Sequence, residues 1–267
     1  SDGTTEGTHL VKDIYPGNSH DSSNPSYFTV FNDKLYFSAE DEDNGQEIWT
    51  TDGTENGTTL AVDVWPGNYG GSPRSMTVFN DYLYFSAFGN NTGRELWKSD
   101  LTENGTSLVK DIVPGLTGSF VSAFGPSNPS SNFASNQPMG NQKFSIMQGS
   151  FYFEAEIDNK RNIWKSDGTE NGTVQVTNFT NNELAFRYRG GVAVGESKMA
   201  FVVDTEEHDE ELWMTDGTTE GTHLVIDLNP DGDSDIEEIF AGSGDIFYFG
   251  AKTGNPCGWC EEYPHEL

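Results

Sequence analysis

Positive charge is what this sequence has least of. Its 267 residues carry 14 Lys and Arg against 43 Asp and Glu, a formal net charge of −29. This argues against nucleic acid as a partner, because binding a polyphosphate requires a basic face that displaces counterions. Anionic membrane is disfavoured on the same ground. No run of 18 apolar residues exists, so no membrane insertion is expected. Cysteine is nearly absent. Cys257 and Cys260, in "CGWC", are too few for a structural zinc site, which normally takes four protein ligands. The βαβ context of a redox CxxC is also missing. The two thiols could close a local disulfide, stay reduced, or bind metal with outside help; a small disulfide in an extracellular protein is the expectation. The chain begins without an initiating Met or a signal peptide, so a processed or trimmed piece is expected.

Catalytic signatures are missing too. His9, His20, His208, His223 and His265 show no metal-binding spacing, and there is no GxSxG elbow or P-loop. Carboxylate pairs are so frequent that their presence alone cannot mark a glycosidase. An acidic surface suits solubility, high salt, divalent cations or basic partners. Disorder is argued against by 13% aromatic and 34% hydrophobic residues.

What the sequence has instead is repetition. "EIWTTDGTENGT" starts at Glu47, "ELWKSDLTENGT" at Glu95, "NIWKSDGTENGT" at Asn162 and "ELWMTDGTTEGT" at Glu211, and the chain opens on "SDGTTEGT". The Asp of the motif falls at Asp2, Asp52, Asp100, Asp167 and Asp216, in steps of 50, 48, 67 and 49 residues. A second motif follows, "LVKDIYPG" from Leu10, "LAVDVWPG" from Leu60, "LVKDIVPG" from Leu108 and "LVIDLNP" from Leu224. A third reads "TVFNDKLYFSA" from Thr29 and "TVFNDYLYFSA" from Thr77, with weaker versions downstream.

Each unit holds four short runs of alternating apolar residues, which read as strands, separated by Asn-Asp and Asp-Gly turn chemistry. Four antiparallel strands at this period are the signature of a propeller blade. The expected fold is therefore all-β, a single five-bladed β-propeller. Its blades fall at about 27–64, 75–112, 143–177, 189–228 and 237–262, the last completed by a strand at 8–14 that closes the ring. Closure would remove the free sheet edges. A Ser-, Asn-, Pro- and Gly-rich insertion at 116–142 reads as a long loop.

On these motifs the chain resembles the ELWxxDGT-repeat proteins, extracellular proteins prominent in marine bacteria. The likeness covers nearly the whole chain. It departs from the pattern at Leu101, where Gly is expected, at Thr177–Thr180 and at Cys257–Cys260. The resemblance implies an extracellular propeller; the family is defined by its repeat and not by a reaction.

Residues present once per blade are expected to maintain the blade. Trp49, Trp97, Trp164 and Trp213 would each bury roughly 150–250 Å², and Asp52, Asp167 and Asp216 would accept backbone N–H bonds across the turn that follows. Sugar stacking on these Trp faces is the alternative. Function should sit where the repeats differ. Asp231, Asp233 and Asp235 alternate around Gly232 like the start of a calcium loop, with a solvated acidic loop as the plain alternative. Asp41 and Asp43, in "EDEDNG", form a second candidate calcium site. Phe120, Phe124 and Phe133 lie among small polar residues of the insertion, as in an interaction surface or a channel cap. Sequons at Asn56, Asn90, Asn104, Asn171 and Asn178 would be glycosylated turns in a eukaryotic secretory protein. The expectation is a non-enzymatic extracellular or cell-surface interaction or scaffold propeller, stabilised by calcium, whose partner is a protein or glycan. The alternatives are a lectin with sites between blades and a polysaccharide-active enzyme.

Overall fold

Alternating apolar patterns become strands throughout. The computed structural model describes residues 1–17, 22–102, 104–123, 143–179, 192–205, 208–230, 232, 234, 236, 238–252 and 265–266. Among these residues the chain is all-β and propeller-like, with antiparallel sheets and no helix. No helix is long and apolar enough to cross a membrane. The chain divides into two compact units, the first spanning Ser1–Gly118 and the second beginning at Ser119.

The first unit holds two four-stranded sheets. One is ordered β1 (Ser26–Phe31), β2 (Lys34–Asp41), β3 (Gly45–Thr51) and β4 (Thr59–Val62). The other is ordered β5 (Arg74–Phe79), β6 (Tyr82–Gly89), β7 (Gly93–Ser99) and β8 (Thr106–Lys110). Phe31, Ile48, Met76, Leu83 and Phe85 join the two sheets in one buried cluster. Thr29 Oγ1 donates to the Met76 carbonyl at 3.0 Å, tying the two inner strands together.

The second unit holds three sheets. The first contains β9 (Ser122–Ala123), β10 (Ser145–Met147), β11 (Ser150–Ile157), β12 (Lys160–Ser166) and β13 (Val174–Gln175), with β9 paired to β11. The next contains β14 (Val192–Val194), β15 (Lys198–Thr205), β16 (Asp209–Thr215) and β17 (His223–Ile226). The last contains β18 (Glu238–Ala241), β19 (Phe247–Lys252) and β20 (His265–Glu266). Tyr152, Ile163, Met199 and Phe201 pack the first two of these together, and Val202, Leu212 and Ile236 are buried between the second and third.

Turn chemistry sets the hairpins. Asn32 and Asp33, Asn80 and Asp81, and Asp158 and Asn159 all have positive φ between 46° and 62°. That is the type I′ pattern whose twist suits a two-residue hairpin. The repeated "DGTxxGT" is a second, self-contained turn. Asp52 Oδ1 accepts from the Thr54 amide at 2.9 Å and the Thr54 hydroxyl at 2.7 Å. Thr54 Oγ1 accepts from the Gly57 amide, and the Thr58 hydroxyl donates to the Thr54 carbonyl. The same bonds recur from Asp2, Asp167 and Asp216. Gly57 is required because a Cβ there would lie 2.0 Å from the Asp52 carboxylate. Gly53 has φ 90°, and Leu101, standing where the repeat has Gly, is held at φ 66°.

The expected closing strand is not formed. Residues 8–14 make no ladder, and β19 pairs with β18 and β20. The physical reason lies in the first sheet. Its face at Phe37, Ala39 and Trp49 takes Ile14 against it, while Lys12 Nζ sits 5.8 Å over the Trp49 ring and donates to the Thr58 carbonyl at 2.7 Å. The amino-terminal segment thus covers a sheet face instead of extending a sheet edge.

Candidate functional site

The Glu of the repeated "E-[IL]-W" is a buried clasp. Glu47, on β3, is fully buried, and its carboxylate accepts backbone N–H bonds from Val64 at 3.0 Å, Trp65 at 2.9 Å and Gly71 at 2.6 Å. Burial pushes its carboxyl up to about 7, although the three N–H donors pull the other way. Glu95 accepts from the Val113 amide at 3.0 Å. Glu211 accepts from the Leu228 amide and the Ser234 hydroxyl. In each case the carboxylate fastens the "D-x-x-P" connection that leaves the outer strand. Where that connection is replaced by "TNFT", the Glu is replaced too: Asn162 Oδ1 accepts from the Thr177 hydroxyl and the Phe179 amide. These glutamates are structural, one to a repeat, and sequence reasoning missed them because surface carboxylates are so numerous.

Glu154 is different. It stands on β11 where β2 has Ser38, β6 has Ser86 and β15 has Val202, each opposite an apolar residue of the next strand. Its residue is 8% exposed. Its carboxylate accepts a hydrogen bond from the Ser122 hydroxyl at 3.4 Å, on the strand paired beside it. Burial pushes this carboxyl up to about 8, partly offset by the Arg161 charge and by Ser122. It is therefore a protonated acid at neutral pH. Glu156 lies two residues on, hence on the same face of β11, about 7 Å away along the strand. Its carboxylate is held by Arg161 Nε at 3.0 Å. A neutral carboxylic acid and an ion-paired carboxylate side by side can serve as proton donor and base. The signal that could have found them is the "FYFEAE" of the third repeat against "LYFSA" in the first two.

In the first unit, the connection from β4 to β5 carries an exposed aromatic pair. Trp65 and Tyr69 stack with centroids 5.9 Å apart and planes 25° from parallel, and Tyr69 is 79% exposed. Both occupy positions where the repeats differ.

The residues singled out from sequence are placed as follows. Trp49 and Trp164 are buried, Trp97 and Trp213 half-buried, and all four indole N–H groups lack an acceptor. Asp41 accepts from the Asn44 amide and side chain, while Asp43 is exposed. Among the described residues, no three metal-ligating side chains come together. Asp231, Asp233 and Asp235 lie outside the described residues; Ser234, between the last two, and Ile236, just after them, are buried. Phe120 is 46% exposed, and Phe124 and Phe133 lie outside the described residues, as do Cys257 and Cys260. Asn56, Asn90, Asn104, Asn171 and Asn178 are exposed.

No family model matches the chain, and a search of curated proteins finds no relative. Solved structures do match. A puromycin hydrolase is 12% identical over 87% of this chain with a TM-score of 0.48, and the chain spans 34% of that protein. An α-L-arabinofuranosidase from Clostridium thermocellum is 15% identical, with 86% of this chain and 81% of that one covered and a TM-score of 0.33. A family 117 glycoside hydrolase from the marine bacterium Zobellia galactanivorans is 12% identical, with 82% and 74% covered and a TM-score of 0.34. By name these neighbours are hydrolases, two of them glycoside hydrolases, and not interaction or scaffold proteins, so the expectation of a non-enzymatic interaction or scaffold propeller is not carried forward.

Proposed function

We propose that this chain is a polysaccharide-active enzyme, built as a five-bladed propeller of the ELWxxDGT-repeat kind and working outside the cell. Glu154 carries the reading. Burying a carboxyl group is costly, and the other sheets fill the same position with Ser, Val or Gly at no such cost. A carboxyl kept neutral at pH 7 is the group that protonates a leaving glycosidic oxygen. Glu156 would then be the base that activates water, with Arg161 orienting its carboxylate. The exposed Trp65–Tyr69 pair supports a sugar ligand, because flat aromatic faces match the C–H faces of a pyranose.

The test is release of reducing ends from a panel of neutral and acidic polysaccharides, by the full chain and by Glu154→Gln. Cleavage by the parent, reduced at least a hundredfold in a variant with an unchanged melting temperature, is the expected result. Cleavage that survives the substitution, or no cleavage of any polysaccharide, overturns the reading. A lectin is the second reading, favoured by the aromatic pair alone. It predicts glycan binding that Glu154→Gln leaves intact and Tyr69→Ala weakens.

A further inference from the structure

Among the described residues, a buried arginine in the first unit has no anion paired with it. Arg94, at the start of β7, is 5% exposed. Its Nη1 donates to the Ser72 carbonyl at 3.0 Å, the Ser86 carbonyl at 3.3 Å and the Ser86 hydroxyl at 3.2 Å, all of them neutral acceptors. Its guanidinium lies 4.2 Å over the Phe88 ring. Nη2 is buried and has no partner. The described ion pairs are Arg161 with Glu156 and His208 with Asp227, and neither involves Arg94. A buried charge is expensive unless it is paired. In a chain with 43 acidic residues, a carboxylate partner was readily available.

A second cation stands beside it instead. Arg74 opens β5 directly opposite Ser86, the residue that Arg94 holds, and it is exposed. The two charges repel, and together with burial, the larger cause, this brings the Arg94 guanidinium down to about 10. It remains cationic at neutral pH. The corresponding positions elsewhere show that the fold does not require this arrangement. Gln46 occupies the Arg94 position in the first sheet, and Arg161 occupies it on β12, where it is exposed and paired. Holding Ser72 and Ser86 uses only one of the guanidinium nitrogens.

We infer that Arg94 and Arg74 form a binding site for an oxyanion of a ligand, a carboxylate or a sulfate group. The forked guanidinium of Arg94 offers its free nitrogen in a geometry suited to two oxygens. Arg74, exposed and opposite the Ser86 that Arg94 holds, would supply the second positive charge from the solvent side. Ser72, Trp65 and Tyr69 belong to one connection, so a ligand anchored here by its anionic group has an aromatic surface on the same loop. The inference does not depend on hydrolysis by Glu154, which lies in the other unit.

The test is calorimetric titration and thermal melting of the full chain with sodium sulfate, sodium glucuronate, glucose and sodium chloride, ionic strength held constant. Saturable binding of sulfate, glucuronate or both, with no response to glucose or chloride, is expected, and which anion binds tells sulfate from carboxylate. Arg74→Gln, a surface change that leaves the fold intact, should raise the dissociation constant at least tenfold, and Arg94→Gln should abolish binding. If neither anion binds the parent, or if Arg74→Gln binds as the parent does, the inference is wrong.

Discussion

Strands β6–β7 and β11–β12 are the same hairpin carrying opposite charge problems. On β6 the buried position is Ser86, and the cross-strand pair beside it is Phe88 with Arg94. On β11 the buried position is Glu154, and the pair beside it is Glu156 with Arg161. With Phe88 as its neighbour, the first arginine lies over the ring and is buried without a carboxylate. With Glu156 as its neighbour, the second is drawn outward into an ion pair with side chains 49% and 21% exposed. Glu154 is thereby left inside with a serine and only a distant cation. One backbone thus supports a buried cation in one unit and a buried neutral acid in the other. The difference comes from two residues on one strand face, at the repeat's positions for Ser86 and Phe88.

The sharpest break in that comparison is chemical. Replacing Glu154 with Gln should lower polysaccharide cleavage by a factor of about 10²–10⁴, the usual contribution of a positioned acid. Ser86→Glu should create no activity, because β6 lacks the neighbouring carboxylate; reducing-end assays on both variants measure this.

Next in size is the clasp that the repeats share, as Glu on β3 and as Asn on β12. Glu47→Ala strands three buried N–H groups, and at about 1 kcal/mol or more for each it should cost roughly 3 kcal/mol or more. Asn162→Ala strands two donors and should cost about 2 kcal/mol. Urea unfolding ranks them, and equal costs would show that the connection is held by something else.

The two hairpins should also differ in their response to pH. Glu154 is about 8 when folded and 4.5 when unfolded, so unfolding releases a proton between those values. Its stabilising effect is complete below pH 4.5 and is lost as pH rises to 8, with a slope of at most about 1.4 kcal/mol per unit. Glu47, raised to about 7, adds a slope of the same sign. Melts of the parent and Glu154→Gln across this range should converge at low pH and diverge in favour of the variant above neutrality. A parallel pair of curves would mean that Glu154 is ionised in the folded chain.

The smallest effect belongs to the exposed ion pair. Arg161→Gln should change stability by less than about 1 kcal/mol, as partly exposed pairs do. A larger loss, read from the same unfolding curves, would mean that Arg161 supports Glu154 as well as Glu156.

Much of the fold could be read from the residues. The period, the four strands of a repeat and the Asn-Asp hairpins all rest on local chemistry, and the local chemistry prevails. The amino-terminal strand did not follow. "LVKDI" alternates like an edge strand, but whether such a segment adds to an edge or lies across a face depends on which apolar surface lacks cover. Here that surface is Phe37, Ala39 and Trp49. The candidate acid was legible in principle, as Glu154 in "YFEA" against Ser in "YFSA". A carboxylate's role depends on its burial, however, and one letter does not carry that. Arg94 was harder still, since its significance is the partner it lacks.

The Asp-Thr-Gly-Thr turn has a consequence for how such a chain can change over generations. Every side-chain bond that shapes it closes within seven residues, from Asp52 to Thr58. The Glu47 clasp closes within twenty-four. A stretch of gene encoding one repeat therefore carries nearly all of its own polar partners. When it is duplicated, lost or moved it leaves behind only a few partners, such as those of the Thr29 hydroxyl at the Met76 carbonyl and the Lys165 ammonium at the Gly217 carbonyl, and the copies are then free to diverge at the few face positions where Ser, Glu, Phe and Arg have been exchanged.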